Sequence, residues 1–180
     1  MKQKIVSIAI ALFMVAAPAS YAADKVKVEW FEPDNYTDVR SANGGKEKFR
    51  KSVFAQLEKH FEKKAAKSLP EGMVLNIKVT NLNLAGDVRY NFGFNQEMRV
   101  VKSIYWPEIE FEYQLVDQGQ VVKADSAKLR DMAFLDRLQR ASNSHSAFSY
   151  EKALINEWFK DTVVPLSQQV EQQKTAVMSI

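Results

Sequence analysis

Cysteine is missing from all 180 residues. No disulfide can staple the fold, no thiol can act as a nucleophile, and no cysteine can carry a lipid anchor. Histidine is nearly missing, with only His60 and His145 present. Neither stands in a His-Glu-x-x-His or calcium-loop pattern, so no metal is expected; His60 reads as a partly buried, hydrogen-bonded side chain on a helix, and His145 as part of a serine-rich loop. A Gly-x-Ser-x-Gly elbow and a complete phosphate-binding glycine loop are also lacking, and no cofactor is expected. Internal repeats and low-complexity segments are absent. The fold must therefore be held by packing. Of the 11 phenylalanines all but Phe13 lie beyond residue 22, and with Trp30, Trp106 and Trp158 they supply large apolar side chains for a core.

The first 22 residues read as an export signal. Lys2 and Lys4 give a positive start, Ile5 to Ala17 is an apolar run of 13, and Ser20 and Ala22 occupy cleavage positions, so a cut after Ala22 is expected. A retained anchor would need about 20 apolar residues. Residues 23–180 are then expected to form a single α+β domain in the periplasm, with no membrane span, and with 166–180 a short final helix or a frayed tail. Removal of the two leader lysines leaves 23 basic against 22 acidic residues, so the charge falls from +3 to +1. That balance and the compartment exclude nucleic acid as a partner.

The clearest strand follows Pro107. From Glu108 onward Ile109, Phe111, Tyr113 and Leu115 alternate with Glu108, Glu110, Glu112 and Gln114, giving one greasy and one wet face. Val26, Val28 and Trp30 alternate in the same way with Lys27 and Glu29. Leu75, Ile77 and Val79 do so until the phase slips at Leu82, which requires a bulge near Asn81 or an end there. Asp117-Gln118-Gly119-Gln120 reads as a hairpin turn into a strand from Val121 to about Leu129, and Met98 to Ile104 as a short strand. Between the first two strands, Phe49, Val53, Phe54, Leu57, Phe61 and Ala65 share one arc of a helix from Lys46 to about Ser68. A second helix starts at Tyr150 with Ser149 as its cap, buries Leu154, Ile155, Trp158 and Phe159, and is interrupted at Pro165. The expected fold is a two-layer α+β sandwich in the order β-α-β-β-β-α, with two main helices on one face of a mixed four-stranded sheet.

Three groups of residues are candidates for function. Asp34, Asp38 and Asp87 lie in turns near strand ends and could pair as carboxylates for acid-base chemistry, although turn aspartates ordinarily bond the backbone. Gly44, Gly45 and Lys46, with Arg40 nearby, precede a helix and could cradle an anion, although the same residues make an ordinary helix start. Arg89, Tyr90, Phe92, Phe94, Tyr105 and Trp106 combine a cation with flat aromatic area suited to a glycan, a peptide or an apolar partner face, provided they do not fold back onto the core.

Four phrases carry a family resemblance: Glu32 to Asp38, Asn83 to Arg89, Arg99 to Pro107, and Tyr150-Glu151-Lys152 with Glu157-Trp158-Phe159. On these the chain resembles an uncharacterised family of small exported proteins from Gram-negative bacteria that carries only a domain-of-unknown-function label. The resemblance implies an envelope location and transfers no site. The expectation is a non-catalytic periplasmic interaction or ligand-binding module, with an envelope protein, peptide or glycan as partner. The alternative is a hydrolase using the aspartate cluster.

Overall fold

The computed structural model describes residues 24–42, 44–136 and 146–178. The expected leader, Asn43 and His145 lie outside them.

The alternating segment after Lys25 forms β1 (Val26–Trp30), and α1 (Lys46–Ser68) returns the chain to β2 (Met73–Asn83), which pairs parallel to β1. A hairpin of β3 (Asp87–Asn91) and β4 (Gln96–Val100) stands apart as its own two-stranded sheet. The main sheet resumes with β5 (Glu108–Asp117) and β6 (Gln120–Arg130), both antiparallel, in the spatial order β1-β2-β5-β6. Gln118 and Gly119, both at positive φ, make the tight turn between the last two strands. Helix α2 (Ser149–Trp158) runs through a π turn (Phe159–Val163) into α3 (Val164–Met178). Pro165 explains the π turn, because it offers no N–H and its ring crowds the preceding turn. Segment 166–178 is helical, with Leu166 and Val170 against the core and Lys174 Nζ 2.5 Å from the Asp117 carboxylate.

The α+β fold and its mixed four-stranded sheet are those the periodicities predict. Val53, Leu57, Phe61 and Ala65 of α1 are buried against Leu75, Ile77 and Val79 of β2 and the greasy side of β5. Phe61 meets Phe111 and Trp158 edge-to-face, with centroids 6.2 and 6.5 Å apart. Trp30 stacks on Phe54 at 4.1 Å. On the open side the registers place Lys78 between Glu29 and Glu112, and Glu110 opposite Lys128. Each such cross-strand pair stabilises the sheet by about 0.2–1 kcal/mol.

The chain departs from expectation in two places. The third short strand is Gln96–Val100 rather than Met98 to Ile104, and it pairs with Asp87–Asn91, a segment whose outward-facing side chains hide its alternation. Pairing ends at Asp87 opposite Val100 because the Gly86 turn starts there. Helix α2 begins at Ser149 with Phe148, not Ser149, as its cap residue; Phe148 sits at φ 57 while its ring packs on Phe49.

Candidate functional site

The phase slip in β2 is the starting point of the site. Val79 faces Phe111 and Asn81 faces Glu110, so Thr80 is the extra residue of a bulge. The bulge turns Leu82 inward and aims two asparagines at the neighbouring chain. Asn81 Oδ1 accepts from the Thr37 backbone N–H at 2.9 Å and its hydroxyl at 3.0 Å, while Asn83 Nδ2 donates to the Trp106 carbonyl at 3.0 Å. Asp38 is drawn into a parallel bridge with Asn83. The loop after β1 and the segment before β5 are thereby fixed on either side of the end of β2.

Arg99 fastens the third side. Its guanidinium donates to Asp38 Oδ2 at 2.9 Å, to the Gly86 carbonyl at 3.0 Å and to the Arg40 carbonyl at 2.8 Å, joining the loop after β1 to the Gly86 turn with one side chain. Gly86 must be glycine, since it sits at φ +86 and a Cβ there would come within 2.8 Å of the Val100 carbonyl oxygen. Beneath this turn, Glu151 at the start of α2 is only 2% exposed and accepts the Ala85 N–H at 2.8 Å. Burial pushes the Glu151 carboxyl well above its ordinary range, against the pull of that hydrogen bond and of Arg99.

These contacts enclose an open cavity of about 840 Å³. Its walls come from the loop after β1 (Asp34, Asp38, Arg40), the start of α1 (Lys46, Arg50), the Gly86 turn with Asp87 and Arg89, the segment Ile104-Tyr105-Trp106, and the facing ends of β5 and β6 (Glu108, Arg130). Every carboxylate of the lining is ion-paired. Asp34 lies 2.5 Å from Arg50 and 3.7 Å from Lys46, Asp38 is held by Arg99, and Asp87 lies 3.0 Å from Arg89. Glu108 accepts from Arg130 Nε at 2.5 Å, with Lys128 at 3.3 Å. Arg89 and Arg130 also lie over the rings of Tyr105 and Trp106, at 5.3 and 5.6 Å from the centroids.

The pairing sets the chemistry. The hydrogen bond and charge of Arg50 hold the Asp34 carboxyl below its usual range. Burial raises Glu108, but hydrogen bonds from Arg130 and the neighbouring Glu110 and Lys128 outweigh it, and the net shift is downward. Asp38 has both oxygens engaged, Oδ1 by the Arg40 N–H and Oδ2 by Arg99. General acid catalysis needs a carboxyl that keeps its proton near neutral pH, and Asp34 and Glu108 are held the other way.

Several predicted groups meet here. Asp34, Asp38 and Asp87 share the cavity with Arg40, Lys46, Arg89, Tyr105 and Trp106. Gly44 and Gly45, at φ 72 and 64, shape the start of α1 without lining it. Tyr90, Phe92 and Phe94 stand away from it at the hairpin tip, where Phe92 is 90% and Phe94 71% exposed. Glu108, expected on the wet side of β5, is 8% exposed because Arg130, Lys128 and Trp106 close over that end of the strand. Sequence reasoning missed Glu108, Arg130, Asn83 and the two residues that hold the walls, Arg99 and Glu151. The one available signal was the slip at Asn81. His60 pairs its Nε2 with Asn156 Oδ1 at 2.9 Å, joining α1 to α2 away from this site.

Among the described residues, no group of three or more acidic, histidine or cysteine side chains is arranged to hold a metal ion, and no helix is long and apolar enough to cross a membrane. The fold and the cavity define a small α+β protein with an ion-paired, aromatic-edged bowl at one end of its sheet. The chain belongs to the family described as protein of unknown function (DUF3016), whose model matches residues 24–161. That stretch holds every wall of the bowl. Neither a curated protein nor a solved structure matches the chain.

Proposed function

We propose that this protein is a non-catalytic ligand-binding module of the bacterial envelope, working in the periplasm after loss of residues 1–22, with the bowl at the end of β2 as its site. The observation that carries the reading is convergence. Residues from 34 to 130, on seven separate segments, are brought by a bulge and one arginine into a single concavity whose carboxylates are all engaged by cations. A paired-carboxylate hydrolase would need one carboxyl to keep its proton as the general acid, and Asp34 and Glu108 are shifted the other way. A binding site needs only fixed donors and acceptors, and ion pairs locked by neighbours provide them without rearrangement.

A photo-crosslinking phenylalanine derivative placed at Ile104, which is 63% exposed on the rim, tests this in intact cells. Covalent capture of a ligand from Ile104, and not from the same group at Lys78 on the open sheet face, is the expected result. No capture at Ile104, or equal capture at both, overturns the reading. Recovery of the chain in the osmotic-shock fraction with Ala23 as its first residue tests the compartment, and a retained leader in the membrane fraction removes that part.

A further inference from the structure

We propose that the bowl takes an uncharged, hydroxyl-rich ligand, a stretch of saccharide chain; the proposal rests on the bowl being the binding site and names what fills it. Charge comes first. The lining holds five cations and four carboxylates, so the wall is nearly neutral in sum while being densely polar in detail. A phosphate or carboxylate ligand is attracted by unengaged guanidinium forks, but Arg50 already spans Asp34 and Glu47, Arg130 grips Glu108 with two nitrogens, Arg89 donates to Asp87 and the Tyr105 hydroxyl, and Arg40 donates to the Val88 carbonyl; Lys46, 3.7 Å from Asp34, is the loosest of the five. Entry of an anion would place it beside carboxylates that cannot leave. An aliphatic ligand fares no better, because covering these ion pairs without offering them hydrogen bonds strips their water for no return.

A saccharide meets both demands. Each hydroxyl donates and accepts at once, and neighbouring hydroxyls on a ring present that pairing twice. The Asp87–Arg89 and Glu108–Arg130 pairs each set an acceptor and a donor within about one hydrogen-bond length of each other, at 3.0 Å and 2.5 Å. Asn83, whose Nδ2 already donates to the Trp106 carbonyl, adds its amide oxygen to the lining. Tyr105 and Trp106, consecutive in the chain and half-buried in the wall, supply flat apolar area for the C–H face of a sugar ring on the side that the guanidiniums of Arg89 and Arg130 leave uncovered, and Arg89 also holds Tyr105 by its hydroxyl. The bowl is open, so a chain can pass across it rather than end in it.

The test is a glycan array of neutral and acidic saccharides probed with the intact mature chain, beside thermal-shift titrations with inorganic phosphate and with trialanine. Binding to neutral saccharides is expected, with affinity changing less than about twofold between 50 and 500 mM salt because no counterions are displaced. Trp106→Ala is expected to weaken it about tenfold or more. Arg89→Gln, at an exposed pair that the fold does not depend on, weakens it about threefold or more and guards against a misfolded Trp106 variant. Phe92→Ser at the hairpin tip leaves it unchanged. A salt-sensitive shift with phosphate or trialanine and no saccharide binding overturns the ligand class and spares the site. Crosslinking at Ile104 without any array signal does the same, and silence in both overturns ligand class and site together.

Discussion

Between residues 109 and 115, β5 buries Ile109, Phe111, Tyr113 and Leu115 under the apolar sides of α1 and α2; one residue earlier, Glu108 is nearly as buried and is held by Arg130 and Lys128 instead. The same strand thus crosses from a region stabilised by area removed from water to one stabilised by mutual neutralisation. The first tolerates any partner of fitting shape. The second depends on particular pairs, because a charge left behind when its partner is removed keeps its desolvation cost. Rigid packing and fixed polar geometry are supplied by different ends of one element, and the bowl inherits its rigidity from the core beside it.

The largest way to break this division is from the packed side. Phe61 is fully buried and touches Phe111, Trp158 and Phe159, so Phe61→Ala is expected to cost about 3–5 kcal/mol in denaturant unfolding. A loss under about 1 kcal/mol would mean that α1 does not seal the sheet. The polar end is expected to fail differently. Arg99→Ala removes the fastening of the loop after β1 to the Gly86 turn, and a loss of about 2–4 kcal/mol, with Asp38 left without its cationic partner, should accompany collapse of binding at the bowl. Arg99→Lys can restore charge but not the three-way fork, so it should recover stability in part and binding hardly at all.

Glu151 sharpens the comparison, since it is a polar group buried on the core side of the bowl. Glu151→Ala leaves the Ala85 N–H without an acceptor and is expected to cost about 1–3 kcal/mol. Glu151→Gln keeps the acceptor and removes a charge that burial disfavours. The folded pKa lies above the ordinary 4.5, so the carboxylate weakens the fold at neutral pH and that penalty fades as pH falls through the folded pKa. The glutamine variant should therefore match or exceed the wild type at pH 7 and lose its advantage towards pH 4. Equal destabilisation by both substitutions would show that the carboxylate itself, not the shape and acceptor that glutamine preserves, is what the site requires.

The two regions also differ in what the chain reveals of them beforehand. The packed side is written in local period: Val53, Leu57, Phe61 and Ala65 fall on one arc, and Ile109 to Leu115 alternate, because helices and strands repeat at fixed angles. The bowl is written in contacts across 61, 48 and 66 residues, from Arg99 to Asp38, Arg40 to Val88 and Glu151 to Ala85, and no period encodes these. Asp34, Asp38 and Asp87 are legible as turn residues, but their partners are not. Glu108 shows the limit most clearly, for alternation assigns its side of the strand correctly and says nothing of Arg130 and Trp106 closing over it. The slip at Asn81 is the single local sign that the sheet is being bent toward a purpose.

The smallest predicted effect lies where the two helices meet. Burial lowers the pKa of His60 in the folded protein; the hydrogen bond with Asn156 opposes this, and the charges of Lys152 and Lys64 reinforce it. The unfolded chain, with a histidine pKa of about 6.5, therefore binds a proton more readily than the fold does. Stability contributed by neutral His60 is present above that unfolded value and is lost as pH falls through the folded one. The slope opposes that of Glu151, so the two are separated by substitution rather than by a single titration. In urea midpoints taken from pH 7.5 to pH 5, His60→Gln should fall less steeply than the wild type while Glu151→Gln falls more steeply. If His60→Gln keeps the full wild-type slope, the α1–α2 contact is not proton-sensitive.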